Sequence, residues 1–314
     1  MKDRMEDLVI IGTGPAGYTA AVYAARANLK PLILAGELPG GQLTQTTDVE
    51  NYPGFEEGVL GYDLMAKMQA QAERFGTRLE YDIVESVTFK DGGPQTLHLA
   101  GGKELQARAV IISTGATPRR LGIPSEDALE TKGVTYCAVC DGAFFPDVPH
   151  VVVGGGDSAM EEAVFLTKFA SKVTIVHRRD EFRASKIMAD RAINHPKIEV
   201  AWDSEVAEVL GEDVGKVTGV RLRNLKTAET TEVPCGAVFV AIGHTPNTAF
   251  LGGQIATDDQ GYVLLEGTGS RTNVEGVFAA GDCGDHTYRQ AITAAGMGCK
   301  AALDAERWLE LQED

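Results

Sequence analysis

The sequence predicts an α/β chain containing two copies of one parallel-sheet unit, the second set within the first. Three observations carry that reading. An apolar run leading into a glycine turn occurs twice, as Leu8-Val9-Ile10-Ile11 before Gly12-Thr13-Gly14-Pro15-Ala16-Gly17 and as Val151-Val152-Val153 before Gly154-Gly155-Gly156-Asp157-Ser158-Ala159. Each turn opens a helical pattern, over residues 18–26 and 160–170, and each helix leads to a second β-branched strand, at 31–34 and 173–176. Two later apolar runs, residues 109–116 and 237–244, reach a glycine near their ends, Gly115 and Gly243, and each is followed by Thr-Pro. Strand, glycine turn, helix and strand make the βαβ mononucleotide unit, so the expected fold is two Rossmann-like dinucleotide-binding domains.

The small residues of the two turns have separate tasks. Gly12 and Gly154 allow the chain to turn sharply out of the strand. Gly14 and Gly156 leave room for a pyrophosphate against the backbone, and Gly17 and Ala159 let the helix lie close on the strand. The helix start then offers unpaired N–H groups and the positive end of its dipole to phosphate oxygens. The runs at 109–116 and 237–244 are expected to close the sheets of their respective copies. Proline at Thr117-Pro118 and Thr245-Pro246 stiffens the chain where it leaves each sheet, which places two short crossings there. The expected division is one discontinuous domain, residues 1–117 and 246–314, with residues 118–245 inserted as a smaller one.

The two copies differ where a nucleotide is told apart. NAD-specific folds usually put an acidic residue at the end of the second strand, but here the second copy reads His177-Arg178-Arg179-Asp180-Glu181-Phe182-Arg183. Guanidinium groups pair bidentately with phosphate, so three arginines at that place suit a 2′-phosphate and favour NADPH over NADH. The first copy has no such arginines; its strand ends Ala35-Gly36-Glu37, with Gly40-Gly41-Gln42 just beyond. That fits an adenine dinucleotide lacking the 2′-phosphate, and FAD is the one expected opposite NADPH. Near the C-terminus a strand ends in Gly281-Asp282, and Arg289-Gln290-Ala291 opens a helix running to about 309. The start of that helix can face a flavin ring, and Asp282 can accept a hydrogen bond from the ribityl chain.

Between the two copies stands Tyr136-Cys137-Ala138-Val139-Cys140-Asp141-Gly142. A zinc half-site would need a partner pair, and Cys235, Cys283 and Cys299 are scattered with no histidine pair beside them. Two incidental thiols are the plainer alternative. A redox dithiol accounts for more: two intervening residues keep the sulfurs close, and Asp141 can hold or deliver the proton needed as a thiolate leaves. Composition narrows the partners. A net charge of −16 repels phosphate backbones and anionic lipid, which argues against nucleic acid and membranes. With a charged start, no long apolar run and few cysteines, the expected compartment is the cytoplasm.

These motifs together are similar to those of the low-molecular-weight, bacterial and plant-type NADPH-dependent thioredoxin reductases. The resemblance spans nearly the whole chain and includes Glu50-Asn51-Tyr52-Pro53-Gly54-Phe55 besides the segments already named. It implies a homodimer with an FAD domain and an inserted NADPH domain that rotate against each other. It also implies a route from NADPH through FAD to Cys137 and Cys140, and on to the disulfide of thioredoxin or a thioredoxin-like protein. By the same resemblance Cys140 lies nearer the flavin and Cys137 exchanges with the partner, while Asp141 serves as acid and base. Asn51, Thr114 and Gly115 are implied along the FAD, and Glu161 near the nicotinamide. The segment Ala143-Phe144-Phe145-Pro146-Asp147-Val148-Pro149 departs from the pattern with its two prolines, which bears on the loop presenting the dithiol. A dithiol oxidase, a ferredoxin-driven relative and a silent dinucleotide sensor are the rival readings; the three arginines count against the first.

Overall fold

Interior strands of a parallel sheet are covered on both faces, so they read as unbroken apolar runs. Leu8-Val9-Ile10-Ile11 and Ala109-Val110-Ile111-Ile112 are two such runs, and they pair side by side in the computed structural model, which describes residues 5–312. The chain divides into two compact units, one from the N-terminal part up to Thr117 together with the residues from Thr245 onward, the other Pro118–His244.

In the first unit the sheet runs in the order Arg78–Glu80, Leu32–Leu34, Met5–Ile11, Lys103–Ile112, Gln95–Leu99, Val84–Thr88. The long strand Lys103–Ile112 serves two neighbours on one side. Its first half pairs antiparallel with Gln95–Leu99, and its last residues pair parallel with Val277–Ala279. The parallel strands end level, because Ile11 is opposite both Leu34 and Ile112, and Ile112 is opposite Ala279. Crossings leave Met5–Ile11 on one side and return on the other, so the gap beside this strand is a topological switch point, where open α/β sheets hold ligands.

The second unit repeats the scheme with five parallel strands in the order Val134–Thr135, Ala237–Val240, Pro149–Val153, Lys172–Val176, Ile198–Ala201. A three-stranded antiparallel sheet, Ser204–Leu210, Gly219–Asn224 and Thr230–Pro234, accompanies it. The two runs expected to close their sheets lie inside them instead. Each flanks the strand that feeds a glycine turn, because a run without polar alternation needs neighbours on both edges and cover on both faces. The two proline-marked crossings, Ala116–Pro118 and His244–Pro246, pair as a short two-stranded sheet.

Helix Pro15–Arg26 packs on the C-terminal helix Ala291–Glu310 through small residues, Ala20, Ala21 and Ala24 against Ala301, Ala302 and Ala305, all buried. The approach is close at Gly298, where an added Cβ would stand 2.1 Å from the Ala16 carbonyl oxygen. Two substitutions on this helix separate packing from propensity. Gly298→Ala is expected to destabilise the protein by about 1–3 kcal/mol through overpacking. Gly296→Ala, where a Cβ meets nothing within 4 Å, is expected to stabilise it by about 0.5–1 kcal/mol. Thermal melts of the two variants shifting in opposite directions would confirm the contact; a common shift would contradict it. No helix among the described residues is long and apolar enough to cross a membrane.

Candidate active site

At the carboxyl edge of the first sheet, the chain turns at Gly12 with φ +106°, and helix Pro15–Arg26 begins with Gly14 as an extended N-cap and proline in its first turn. No side chain caps that helix start. Gly17 must be glycine, since a Cβ there would lie 1.9 Å from the Gly12 carbonyl oxygen. A Cβ on Gly14 would instead meet no protein atom within 4 Å, so the space over the turn is open. Open backbone N–H groups and the positive helix end facing clear space make a cradle of the kind a pyrophosphate fills. Thr13 fixes the neighbouring loop: its hydroxyl donates to Ala35 O at 3.2 Å and accepts from Gly40 N at 2.9 Å. Gly41 then passes near Gly14, so that a Cβ on it would stand 3.2 Å from Gly14 Cα, with Gln42 and Glu37 exposed beside it.

Thr114 and Gly115 follow the next strand of the same edge and are clamped by Asn247, which sequence reasoning did not single out. The Asn247 amide donates from Nδ2 to Thr114 O at 2.9 Å, and its backbone N–H to Gly115 O at 3.0 Å; the Thr114 hydroxyl donates to Asn247 O at 2.7 Å. Asp282 comes just after the adjacent strand Val277–Ala279, and burial, reinforced by Asp285, pushes its carboxyl up to about 7. A half-buried carboxyl at this edge is suited to accept from a ligand hydroxyl. Asn51, far away in sequence, donates from Nδ2 to Gln290 Oε1 at 3.3 Å, which joins that loop to the start of the C-terminal helix. This helix begins at Ala291, with Arg289 just before it at φ +48°. A capping box between Gln290 and Thr293 already satisfies part of its N-terminus, so fewer free N–H groups remain than at the helix begun by Pro15.

In the second unit, Gly156 is the extended N-cap of helix Asp157–Leu166, again with no side-chain cap and nothing within 4 Å of where a Cβ would stand. Ala159 is fully buried against the strand, while Ser158 and Glu161 are exposed on the first turns. Asp157 turns aside, its Oδ1 accepting from Ser185 N at 2.8 Å and Ser185 Oγ at 2.9 Å. The arginine loop is stitched to the glycine turn, because Arg183 N and Ala184 N both donate to Gly155 O, at 2.8 and 3.1 Å. Arg178, Arg179 and Arg183 are all exposed beside this turn. His177 is not. Its imidazole is buried, with Nδ1 at 3.1 Å from Gly154 O and Nε2 at 3.0 Å from Glu181 O, and its ring occupies the space a Cβ on Gly155 would need. It supports the loop from within, and burial lowers its pKa, which favours the neutral ring.

The dithiol follows the edge strand Val134–Thr135 of this sheet. Cys137 is the extended N-cap of a one-turn helix, Ala138–Asp141, in which buried Ala138 anchors the turn and the Cys137 Sγ accepts from Cys140 N at 3.2 Å. Cys137 and Cys140 are joined in a disulfide, with Cα atoms 5.3 Å apart. Cys140 is exposed, and Cys137 and Asp141 are half-buried. Burial raises the Asp141 carboxyl above the usual range, and a hydrogen bond from the Thr135 hydroxyl partly offsets it. Gly142 passes under helix Asp157–Leu166, where a Cβ would come within 2.8 Å of Leu166 Cδ2. Beyond it the proline-bearing segment forms a short turn, Gly142–Phe144, held by a contact of 2.7 Å between His150 Nε2 and Phe145 O.

Behind the first cysteine lies a network with no plain sequence signal. Tyr136 donates its hydroxyl to Glu126 Oε1 at 3.1 Å, and the buried Glu126 carboxylate also accepts from Leu121 N and Gly122 N, both at 2.9 Å. The Arg120 guanidinium lies 5.3 Å from the Tyr136 ring centroid and pairs with Glu130 at 2.7 Å and Asp127 at 2.8 Å. The remaining cysteines, Cys235 and Cys283, are buried, and burial pushes their thiols up to about 12 and about 11; Cys299 is half-buried. Buried thiols held in the neutral form are poor nucleophiles. Among the described residues, no group of three His, Cys, Asp or Glu side chains is placed to hold a metal ion.

Comparison with known proteins agrees with this chemistry. Residues 6–298 match the family model described as pyridine nucleotide-disulphide oxidoreductase. The chain is 56% identical over 311 residues to a thioredoxin reductase of Streptomyces clavuligerus, covering 99% of this chain and 96% of that protein. It is 53% identical over 307 residues to a bifunctional thioredoxin reductase/thioredoxin of Mycobacterium leprae, covering 98% of this chain and 66% of the longer relative. Among solved structures, a thioredoxin reductase from Giardia duodenalis is 48% identical with a TM-score of 0.93, covering 98% of this chain and 99% of that one. A family match over most of the chain, carried by two glycine cradles and a disulfide, identifies an oxidoreductase. The chain belongs to the pyridine nucleotide-disulphide oxidoreductase family, among its low-molecular-weight thioredoxin reductases.

Proposed function

We propose that the protein reduces the disulfide of thioredoxin, or of a thioredoxin-like protein, with electrons from NADPH, using FAD and its own Cys137–Cys140 pair. The observation that carries this reading is the Cys137–Cys140 disulfide with Asp141 in the same turn, in the unit where three arginines border an open glycine cradle. The name of the Mycobacterium leprae relative, which joins a reductase to a thioredoxin in one chain, supports thioredoxin as the partner. The reading includes a cytoplasmic homodimer, by likeness to the family.

Each residue then has a task. The turn Gly12 to Gly17, with Gly41, Gln42 and Glu37 beside it, holds the FAD, and Asn51, Thr114, Gly115, Asp282 and the segment Arg289 to Ala291 line its remaining length. The turn Gly154 to Ala159 takes the NADPH pyrophosphate, and Arg178, Arg179 and Arg183 take its 2′-phosphate. FAD held by these residues would supply the two-electron chemistry that links the hydride of NADPH to the protein disulfide. When that S–S bond breaks, two electrons and two protons yield two thiols, and Asp141 passes the proton at the sulfur that leaves. Cys137 then attacks the partner disulfide, forming a mixed disulfide that Cys140 resolves. Over a cycle NADPH and one proton are consumed, and NADP⁺ and the partner dithiol are released.

Stopped-flow absorbance tests the reading. The purified protein is expected to be yellow, to bleach with NADPH at concentrations where NADH is ineffective, and to regain colour when oxidised thioredoxin is added. A colourless protein that takes up no flavin would leave the route without a carrier. A yellow protein bleached by NADPH but indifferent to a panel of small protein disulfides would remove thioredoxin as the partner.

A further inference from the structure

We propose that Thr135 is a positioning residue of the dithiol site, its single hydroxyl holding the Asp141 carboxylate in one orientation while tying it to the backbone of Cys137. The inference rests on the reading of Asp141 as the proton carrier of the dithiol. The Thr135 Oγ1 accepts a hydrogen bond from Cys137 N at 3.3 Å and donates its own hydrogen to Asp141 Oδ2. A hydroxyl has one hydrogen to give, and here its acceptor and donor sides are both committed within the same turn. The side chain is nearly inaccessible, at 7% exposure, and its backbone is fixed in the edge strand by pairing with Phe239. The turn is closed a second time by the Asp141 N–H bond to Cys137 O at 3.1 Å. Thr135 therefore anchors both ends of the Cys137-to-Asp141 turn to the sheet.

This geometry bears on the proton. A carboxylate that is losing water to burial is destabilised in its charged form, and a hydroxyl donating to it restores part of that loss. Both influences act on Asp141, burial upward and the Thr135 hydroxyl downward. Removing the hydroxyl leaves burial unopposed, so the carboxyl should ionise at higher pH. Elements packed around the turn carry other ionisable groups: the two sulfurs once reduced, Tyr136 with Glu126 and Arg120 behind it, and Glu161 and Glu162 on helix Asp157–Leu166. None of these changes when Thr135 alone is substituted, which isolates the hydroxyl.

Threonine and valine have nearly the same shape and both favour strands, so Thr135→Val deletes the hydroxyl and Thr135→Ser keeps it. The readout independent of turnover is the infrared carboxyl band of Asp141, identified by its loss in Asp141→Asn and titrated in the protein with its disulfide intact. In Thr135→Val this band is expected to persist to higher pH than in the parent protein. Disulfide turnover at neutral pH should fall roughly tenfold, the scale of one charge-assisted hydrogen bond, with KM for thioredoxin unchanged. Thr135→Ser should restore both. Should valine be too crowded for the protein to keep its flavin or its melting temperature, Thr135→Ala repeats the measurement without added bulk. An unshifted band and full turnover in the hydroxyl-free variant overturn the proposal, as does a serine variant as impaired as valine. Full turnover in Asp141→Asn would instead remove the role of Asp141, a separate failure.

Discussion

Cys140→Ser is expected to lower thioredoxin reduction by roughly 10³-fold or more while leaving flavin bleaching by NADPH near its original rate. Disulfide exchange needs a second sulfur to resolve the mixed disulfide, and a serine oxygen cannot take that place. Folding should survive, because the contact to the Cys137 sulfur comes from the Cys140 backbone N–H, which serine retains. The residues proposed for the nucleotides are other ones, in the two glycine turns, the arginine loop and the segments around Asn51, Thr114, Asp282 and Arg289. The variant also tests the order of the sulfurs. Cys140 is the more exposed of the two, so exposure alone would favour it as the residue that attacks the partner. The family reading assigns that attack to Cys137. If so, Cys140→Ser should accumulate a covalent adduct with oxidised thioredoxin, visible on a non-reducing gel, and Cys137→Ser should not. An adduct in the opposite variant would reverse the assignment. Equal loss of flavin bleaching and turnover in Cys140→Ser would contradict the sequence of transfer itself.

What could be read in advance was whatever depends on backbone. The two strand–turn–helix units were legible because a turn that admits no Cβ writes glycine into the sequence, as at Gly17, and a doubly covered strand writes an unbroken apolar run. The placement of residues 109–112 was less so. An apolar run states that both faces are covered, but it does not say which strand lies on each edge, and this one became an interior neighbour of Met5–Ile11. Side-chain anchors were the least legible. Thr13, Asn247, Glu126 and Thr135 act through one or two hydrogen bonds to backbone that is distant in sequence or not distinctive in type, and such bonds leave no periodicity or spacing behind. His177 belongs to the same basic loop as the three arginines, yet its ring is turned into the protein and supports the loop from within. In each case the composition of a segment was readable and the direction of its side chains was not.

The arginine loop offers the second large effect. Arg178→Ala, Arg179→Ala and Arg183→Ala combined are expected to weaken NADPH binding by about 10³-fold, and NADH binding by no more than about threefold. A guanidinium–phosphate contact at an exposed, partly screened site is worth on the order of 1.4 kcal/mol, or tenfold in affinity, and three contacts to one phosphate multiply if they act independently. They share a single ligand group, so the single variants should sum to somewhat more than the triple. The open backbone turn at Gly154 to Ala159 is untouched by these changes, and in the proposed reading it would hold the pyrophosphate that both nucleotides possess. Selectivity should therefore collapse without loss of the site, and added salt should narrow the original preference because the exposed guanidinium groups are open to counterions. Titration of the flavin spectrum with each nucleotide, at two ionic strengths, measures all of this. Parallel losses for NADPH and NADH would mean that the loop supports the cradle through its bonds to Gly155 and does not read the 2′-phosphate.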